Sequence, residues 1–181
     1  PDMVYEFVST SKVTFPGAGI AALITSKANV EEAKEYMNFQ IIGHDKLNQL
    51  RHVKFFKDRD GVMAHMKKHA DILRPKFDTI LQVLEEELGG LGIASWTKPN
   101  GGYFISFDAM EGCAKKIVAK AKEAGLTMTG AGATYPYHND PQDSNIRIAP
   151  SFPTPEELEV AGQVFVLSVK LVSVDKMLES K

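Results

Sequence analysis

The first third of the chain alternates between apolar runs and helical periodicity. Residues 3–8 and 21–25 are short, mostly apolar runs, which are typical of buried strands. Residues 30–42 and 45–57 repeat apolar side chains at helical spacing, and they predict two helices. Asn29 is a candidate N-cap for the first of these helices. The pattern therefore predicts the order strand, strand, helix, helix.

Beyond residue 60 the pattern predicts a long helix followed by an α+β arrangement. Apolar residues recur at helical spacing over 62–88, where Pro75 predicts either a kink or two helices that meet. Residues 93–96 and 102–107 flank a turn and predict a hairpin. The remaining predicted elements are a helix over 112–124, strands over 126–129 and 145–149, and a last helix over 155–178 that Thr154 caps.

Composition is that of a globular protein with a sizeable core, since 44% of its 181 residues are hydrophobic. A net charge of -2 argues against a nucleic-acid-binding surface. The single cysteine, Cys113, excludes an internal disulfide and predicts a reducing, cytoplasmic location. No apolar run approaches the roughly 18 residues that a membrane helix needs. The chain opens without methionine, directly before an apolar run, which suggests a piece of a longer protein.

Candidate chemistry begins at Lys12, directly after the first predicted strand. In buried surroundings a lysine favours its neutral amine, which can attack a carbonyl and form a Schiff base. Ser9 and Ser11 offer hydroxyl donors to a phosphate, and Gly17 and Gly19 let backbone amides approach one. An aldehyde together with a phosphate describes pyridoxal 5'-phosphate. The same spacing also suits a surface turn with a solvated lysine.

Three blocks of sequence, in order, resemble the motifs of one enzyme family. Residues 9–19 read Ser-Thr-Ser-Lys-Val-Thr-Phe-Pro-Gly-Ala-Gly, residues 99–104 read Pro-Asn-Gly-Gly-Tyr-Phe, and residues 145–150 read Asn-Ile-Arg-Ile-Ala-Pro. They resemble fold-type I pyridoxal-phosphate aminotransferases of the aspartate aminotransferase superfamily, in a divergent bacterial branch of class I. The resemblance covers essentially the whole chain.

The resemblance implies an α/β, aspartate aminotransferase-like fold. Residues 1–59 would be the end of the large cofactor domain, and residues 60–181 the connecting helix and the α+β small domain. In such a fold Lys12 would form the Schiff base with pyridoxal 5'-phosphate and then move the substrate's proton. Arg147 would hold the α-carboxylate of the substrate, because a planar guanidinium on a strand can form two parallel bonds to a carboxylate.

The same resemblance implies that Ser9, Ser11, Gly17 and Gly19 lie near the cofactor phosphate. One departure stands out, because Ile20 occupies the position where class I enzymes usually carry a phosphate-binding arginine. Main-chain amides at the two glycines could replace part of that contact. From the residues alone, Arg147 could equally pair with Asp140 or Asp143.

The sequence leaves several functional questions open. The leading expectation is transfer of an amino group between an amino acid, with aspartate or another dicarboxylic one as a candidate, and a 2-oxo acid. The alternatives are a pyridoxal-phosphate-binding effector domain of a transcription regulator, or a lyase or decarboxylase on the same fold. His65 and His69 have an i, i+4 spacing but no third ligand, so no metal site is predicted.

The resemblance also implies partners. Family active sites lie at a dimer interface and take residues from the preceding half of the enzyme. We therefore expect a homodimer, an N-terminal half of the same enzyme, and no activity from this chain alone. Neither nucleic acid nor a membrane is an expected partner.

Overall fold

The computed structural model describes residues 2–179 of the protein, so the first residue and the last two residues of the predicted domains lie outside it. Within that range the chain forms five strands, five α-helices and one short 3-10 helix. In chain order they are β1 (Glu6–Ser9), β2 (Ala21–Ile24), α1 (Lys27–Gln40), α2 (Lys46–Phe56), α3 (Arg59–Leu88), β3 (Ala94–Trp96), β4 (Ile105–Ala109), α4 (Ala114–Glu123), the 3-10 helix (Pro136–His138), β5 (Asn145–Ile148) and α5 (Pro155–Glu179). None of the helices described combines the length and the apolar character that a membrane crossing needs.

Two compact units divide the chain, one up to His69 and one from Ala70. In the first unit β1 and β2 form an antiparallel pair, with Phe7 opposite Leu23. The predicted burial of these strands is wrong, because all four residues of β1 are exposed and Phe7 keeps 79% of its surface accessible. A two-stranded ribbon gives each strand a single neighbour, and no described element of this unit covers its faces.

Helix α1 begins earlier than its apolar pattern suggests. Ser26, rather than Asn29, is the N-cap, and its hydroxyl accepts the Asn29 N–H at 3.3 Å. Asn29 is buried instead, and its side-chain amide donates to the Thr25 hydroxyl at 3.0 Å. Helix α2 keeps its predicted position, with Asp45 as its N-cap.

Helix α3 is continuous through Pro75, so the alternative of two separate helices is wrong. A proline within a helix removes one backbone donor, and a helix of 30 residues retains enough bonds on both sides to absorb that loss. The helix ends at Leu88, and Gly90 follows with a φ of +75°, a conformation that favours glycine. The predicted helix end at this glycine cluster is therefore confirmed.

The second unit is built on an antiparallel sheet with the strand order β3-β4-β5. Phe107 lies opposite Ile146 and Ile105 lies opposite Ile148, and all four side chains are buried. Because strand side chains alternate between faces, the intervening pair, Ser106 and Arg147, lies on the other face. The core on the apolar face contains residues of α3, α4 and α5, among them Leu84, Leu88, Ile117, Val166 and Val169.

Residues 126–129 do not form the predicted strand. Gly125, with a φ of +92°, ends the turn after α4, and the Leu126 N–H bonds back to the Ala121 carbonyl at 2.9 Å. The segment then runs without a partner in the described sheet. A short run with apolar residues does not by itself predict strand pairing, which needs a neighbouring edge.

Asp140 organises the loop that leads into β5. Its carboxylate is buried and accepts the backbone N–H groups of Gln142 at 3.0 Å and of Ser144 and Asn145 at 2.8 Å each. Burial by itself would raise the pKa of this carboxyl, but these backbone donors outweigh it and lower the pKa below the ordinary value. The bonds fix the point at which β5 starts, and therefore the register of Arg147.

We expect Asp140→Asn to destabilise the protein by about 1–3 kcal/mol at neutral pH, because one backbone donor would face an amide NH₂ instead of an oxygen. A carboxyl with a lowered folded pKa contributes stability above the unfolded pKa, and that stability is lost as the pH falls through the folded value. The gap between wild type and variant should therefore narrow below roughly pH 3.9, the ordinary value for Asp.

The measurement is denaturant unfolding of both proteins at pH 7 and across the acid range. Asp78→Asn is the matched control, since Asp78 is exposed on α3 and the same change there should be nearly neutral. An equal loss of stability in both variants, or a gap that is independent of pH, would contradict this role for Asp140.

Candidate functional site

Lys12 lies in a tight turn that directly follows β1. The N–H groups of Val13 and Thr14 both donate to the Thr10 carbonyl at 2.9 Å, so residues 10–14 form a single turn. The Lys12 side chain itself is exposed. The sequence predicted buried surroundings for Lys12, and the described structure does not have them. The reason is that β1, the strand before the lysine, is itself exposed.

The two serines beside Lys12 lie in contact. Their hydroxyl oxygens are 2.6 Å apart, and the Ser11 N–H donates to the Ser9 hydroxyl at 3.1 Å. A Cβ added to Gly19 would lie 3.1 Å from the Ser11 hydroxyl and 3.2 Å from its backbone nitrogen, so a side chain there would crowd the serine. The structure therefore brings Ser9, Ser11 and Gly19 together as a small cradle of hydroxyl and amide groups.

This cradle fits a phosphate group, because hydroxyl and backbone N–H donors are the groups that bind phosphate oxygens. Gly17 has a φ of +74° in the turn that the Ala18 N–H closes onto the Phe15 carbonyl at 3.0 Å. Ile20 closes the loop through its backbone. Its N–H donates to the Thr10 hydroxyl, and its carbonyl accepts the Thr10 N–H, both at 2.9 Å.

Helix α2 holds this loop through contacts that the sequence analysis missed. The Thr14 hydroxyl lies 2.9 Å from Nε2 of His52, which is 4% exposed. The side-chain amide of Asn48 donates to the carbonyls of Ala18 and Gly19 at 2.8 Å and 3.2 Å. The only signal of these contacts in the sequence was the i, i+4 spacing of the polar residues Asn48 and His52 beside an apolar helix face.

Arg147 lies on β5, on the face of the sheet opposite the core. Its guanidinium carbon is 4.5 Å from the centroid of the Phe104 ring, which is cation–π distance. Nε of Arg147 is buried and has no hydrogen-bond partner among the described residues. Phe104 belongs to the Gly-Gly-Tyr-Phe block, so the structure joins two of the three sequence blocks.

Both carboxylates that might have paired with Arg147 have main-chain partners. Asp140 accepts the loop N–H groups described above, and Asp143 accepts the Lys115 N–H at 3.2 Å. Neither forms an ion pair with Arg147 in the described structure. The guanidinium therefore keeps donors that could bind an anion.

Arg147 also lines a cavity of about 330 Å³ beside β5. The other described lining residues are uncharged, and Ile80, Leu84 and Phe165 form apolar walls. Ile80, Leu84 and Phe165 belong to the core on the apolar face of the sheet, whereas the guanidinium of Arg147 contacts Phe104. Arg147 belongs to the second unit, whereas Lys12 and its serines belong to the first.

Comparison with known proteins supports one family over the entire chain. The family model described as aspartate amino-transferase matches residues 1–181. An aspartate aminotransferase of Corynebacterium glutamicum is 47% identical over 161 residues, which are 89% of this chain and 37% of that protein. The chain therefore spans well under half the length of this curated relative.

Solved structures agree with that match. A crystal structure of an aspartate transaminase from Corynebacterium glutamicum superimposes with a TM-score of 0.90 at 44% identity, covering 95% of this chain and 41% of that one. The α-aminoadipate aminotransferase LysN of Thermus thermophilus, solved with N-(5'-phosphopyridoxyl)-L-leucine, matches at 18% identity and a TM-score of 0.73 over 92% of this chain and 42% of its own. The second likeness supports the fold alone. The predicted aspartate aminotransferase-like fold is confirmed, and the chain belongs to the aspartate aminotransferase family.

Proposed function

We propose that this chain is part of a pyridoxal-phosphate-dependent aminotransferase that moves an amino group between an amino acid and a 2-oxo acid. The observation that carries the proposal is the contact between Ser9, Ser11 and Gly19 beside Lys12, in a chain matched by the family over its whole length. Aspartate or another dicarboxylic amino acid is the substrate we favour, because relatives at 44–47% identity are named for aspartate.

In this proposal Lys12 is the Schiff-base lysine and the residues around it bind the phosphate. The hydroxyls of Ser9 and Ser11 donate to phosphate oxygens, and the loop at Gly17 and Gly19 brings the backbone close enough for amide donors. These neutral donors take over part of the role of the arginine that Ile20 replaces. When bound, the cofactor supplies the electron sink for the reaction at the substrate α-carbon.

In this proposal Nζ of Lys12 moves the proton. Its free amine would take the proton from the substrate α-carbon, and general-base catalysis of this kind contributes about 10²–10⁴-fold in rate. The turn over residues 10–14 places the backbone of Lys12 directly after Ser11, so one short segment carries the lysine and the serines.

In this proposal Arg147 binds the substrate. The Phe104 ring covers one face of the guanidinium, and the strand pairing of β5 limits its movement. A planar cation held in this way presents its N–H edge to the α-carboxylate and can form two charge-assisted bonds. A substrate amine without that carboxylate would lose both bonds.

The proposed enzyme also needs partners. We propose that the preceding part of the same polypeptide and a second copy complete it, with residues 1–59 in the large domain and 60–181 in the small one. Exposed apolar side chains in the first unit, such as Phe7 at 79% and Phe39 at 92%, support this proposal because such residues usually lie in contacts. Light scattering of the intact protein would measure the expected homodimer.

A transfer assay tests the reaction. The intact protein is incubated with pyridoxal phosphate, an amino acid and a 2-oxo acid, and the new amino acid and any released carbon dioxide are both quantified. Amino transfer without carbon dioxide supports the proposal. Carbon dioxide release would point to the decarboxylase alternative, and binding of the cofactor without turnover would point to the effector-domain alternative.

We expect borohydride reduction of the cofactor-bound protein, followed by peptide mapping, to place the pyridoxyl group on Lys12. Lys12→Ala should abolish this label and lower kcat by roughly 10²–10⁴-fold, the usual contribution of a general base. Lys27→Ala is the control, since Lys27 is an exposed lysine at the start of α1. Label on any lysine other than Lys12 would refute the assignment.

We expect Arg147→Lys to lower kcat/KM for the amino acid about tenfold to a hundredfold. Lysine keeps the charge but loses one of the two bonds, and a charge-assisted bond is worth roughly 1.5–3 kcal/mol. The matching decarboxylated amine should show no such penalty. Phe104→Leu removes the ring face and should cost about two- to fivefold, the size of an exposed cation–π contact.

Arg74→Lys is the control for this comparison, because Arg74 is exposed on α3. The visible absorbance of the bound cofactor should be unchanged in Arg147→Lys. If the amino acid and the amine lose activity equally, or the cofactor dissociates, Arg147 is structural rather than a carboxylate-binding residue.

A further inference from the structure

We propose that His52 and Thr14 are positioning residues that hold the Lys12 turn in its reactive geometry through a chain of hydrogen bonds. The inference rests on the proposed role of Lys12, and every contact in it lies within the first unit. His52 is the buried histidine of α2, and Thr14 is the last residue of the turn that carries the lysine.

His52 makes two hydrogen bonds through its ring nitrogens. Nδ1 lies 2.8 Å from the Asn48 carbonyl oxygen, and a carbonyl can only accept, so Nδ1 donates. Nε2 lies 2.9 Å from the Thr14 hydroxyl.

The same hydroxyl also bonds within the turn. The Thr14 hydroxyl donates toward Thr10, whose hydroxyl oxygen lies 3.0 Å away and whose carbonyl oxygen lies 3.2 Å away. The Thr10 hydroxyl in turn accepts the Ile20 N–H at 2.9 Å. A continuous chain runs from Ile20 through Thr10 and Thr14 to His52.

This chain ties both ends of the lysine loop to one helix. Lys12 lies between Thr10 and Thr14, and the N–H of Thr14 also closes the turn onto the Thr10 carbonyl. Asn48, one helical turn before His52, holds the opposite side of the loop at Ala18 and Gly19. Helix α2 therefore holds the loop at two places, at Thr14 and at Ala18 and Gly19.

Aromatic contacts fix the imidazole itself. Its ring packs edge-to-face against Phe15 at 5.2 Å between centroids and lies 6.2 Å from Phe56. A buried ring held by two hydrogen bonds and two aromatic neighbours has little freedom to rotate. His52 is thus a rigid anchor for a lysine that must reach a cofactor and a substrate carbon in turn.

In this inference His52 acts on the reaction through the position of Lys12. Loss of the anchor should slow proton transfer and leave substrate binding nearly unchanged, because small errors in the position of a catalytic group reduce the reaction rate. A purely structural role would instead change stability and leave the rate per folded molecule intact.

The test uses the intact protein with Thr14→Val, Thr14→Ser, His52→Gln and His52→Leu. Valine has nearly the shape of threonine without the hydroxyl, and serine restores the hydroxyl. Glutamine can present a hydrogen-bonding amide near the position of Nε2, whereas leucine cannot. His44→Gln is the matched control, because His44 is exposed before α2.

Two measurements are made on each variant. Amide hydrogen exchange of the protein without cofactor reports the protection of Val13, Thr14 and Ile20. Steady-state kinetics with cofactor report kcat and KM separately. We expect Thr14→Val to exchange these amides about three- to tenfold faster and to lose about three- to tenfold in kcat, the effect of one net hydrogen bond, with KM within twofold.

Thr14→Ser and His52→Gln should recover most of both losses, and His44→Gln should match wild type. Wild-type exchange in Thr14→Val, or faster exchange with an unchanged kcat, would overturn the inference. Equal losses in Thr14→Val and Thr14→Ser would overturn it too, since the hydroxyl would then be irrelevant. If wild type takes up no pyridoxal phosphate, the proposed function fails. The hydrogen-exchange measurement, which needs no cofactor, still decides whether His52 holds the turn.

Discussion

The burial of Ile146 and Ile148 is the constraint on which the second unit depends. These two residues face Phe107 and Ile105 across the sheet, and the Phe107 ring packs at 4.9 Å from Phe165 of α5. A shift of β5 by one residue would expose both isoleucines and bury Arg147 in the apolar core, which costs far more than it gains. The core therefore decides on which face the guanidinium lies.

On the polar face of the same sheet, β5 carries both structural hydrogen bonds and the proposed carboxylate-binding residue, Arg147. Asn145 donates through its side-chain amide to Ser106 and Asp108 at 2.9 Å and 2.8 Å. Asp140 ties the preceding loop to the first residues of β5. Arg147 on the same face contacts the Phe104 ring, and its Nε has no hydrogen-bond partner among the described residues.

The first unit is stabilised differently, because hydrogen bonds rather than a core hold its lysine loop. The ribbon of β1 and β2 leaves its apolar side chains exposed, and the lysine turn is stabilised by backbone closure and by the contacts of α2. Net contributions of about 1 kcal/mol for each such bond are enough to order a short loop but not an entire domain. This contrast is consistent with a unit whose apolar surfaces are contact surfaces in a larger protein.

The sequence by itself determined the helices, the hairpin and the family. Helical periodicity over α3 and α5, the glycines after Leu88 and the turn before Phe104 are local signals, and each follows from backbone and side-chain preferences of neighbouring residues. Only the tertiary structure decided the exposure of β1, the unpaired course of residues 126–129, and the partners of Thr14 and Arg147. His52 lies 38 residues from Thr14 and Phe104 lies 43 from Arg147, and contacts between residues so far apart in sequence depend on the packing of whole elements, which no local pattern encodes.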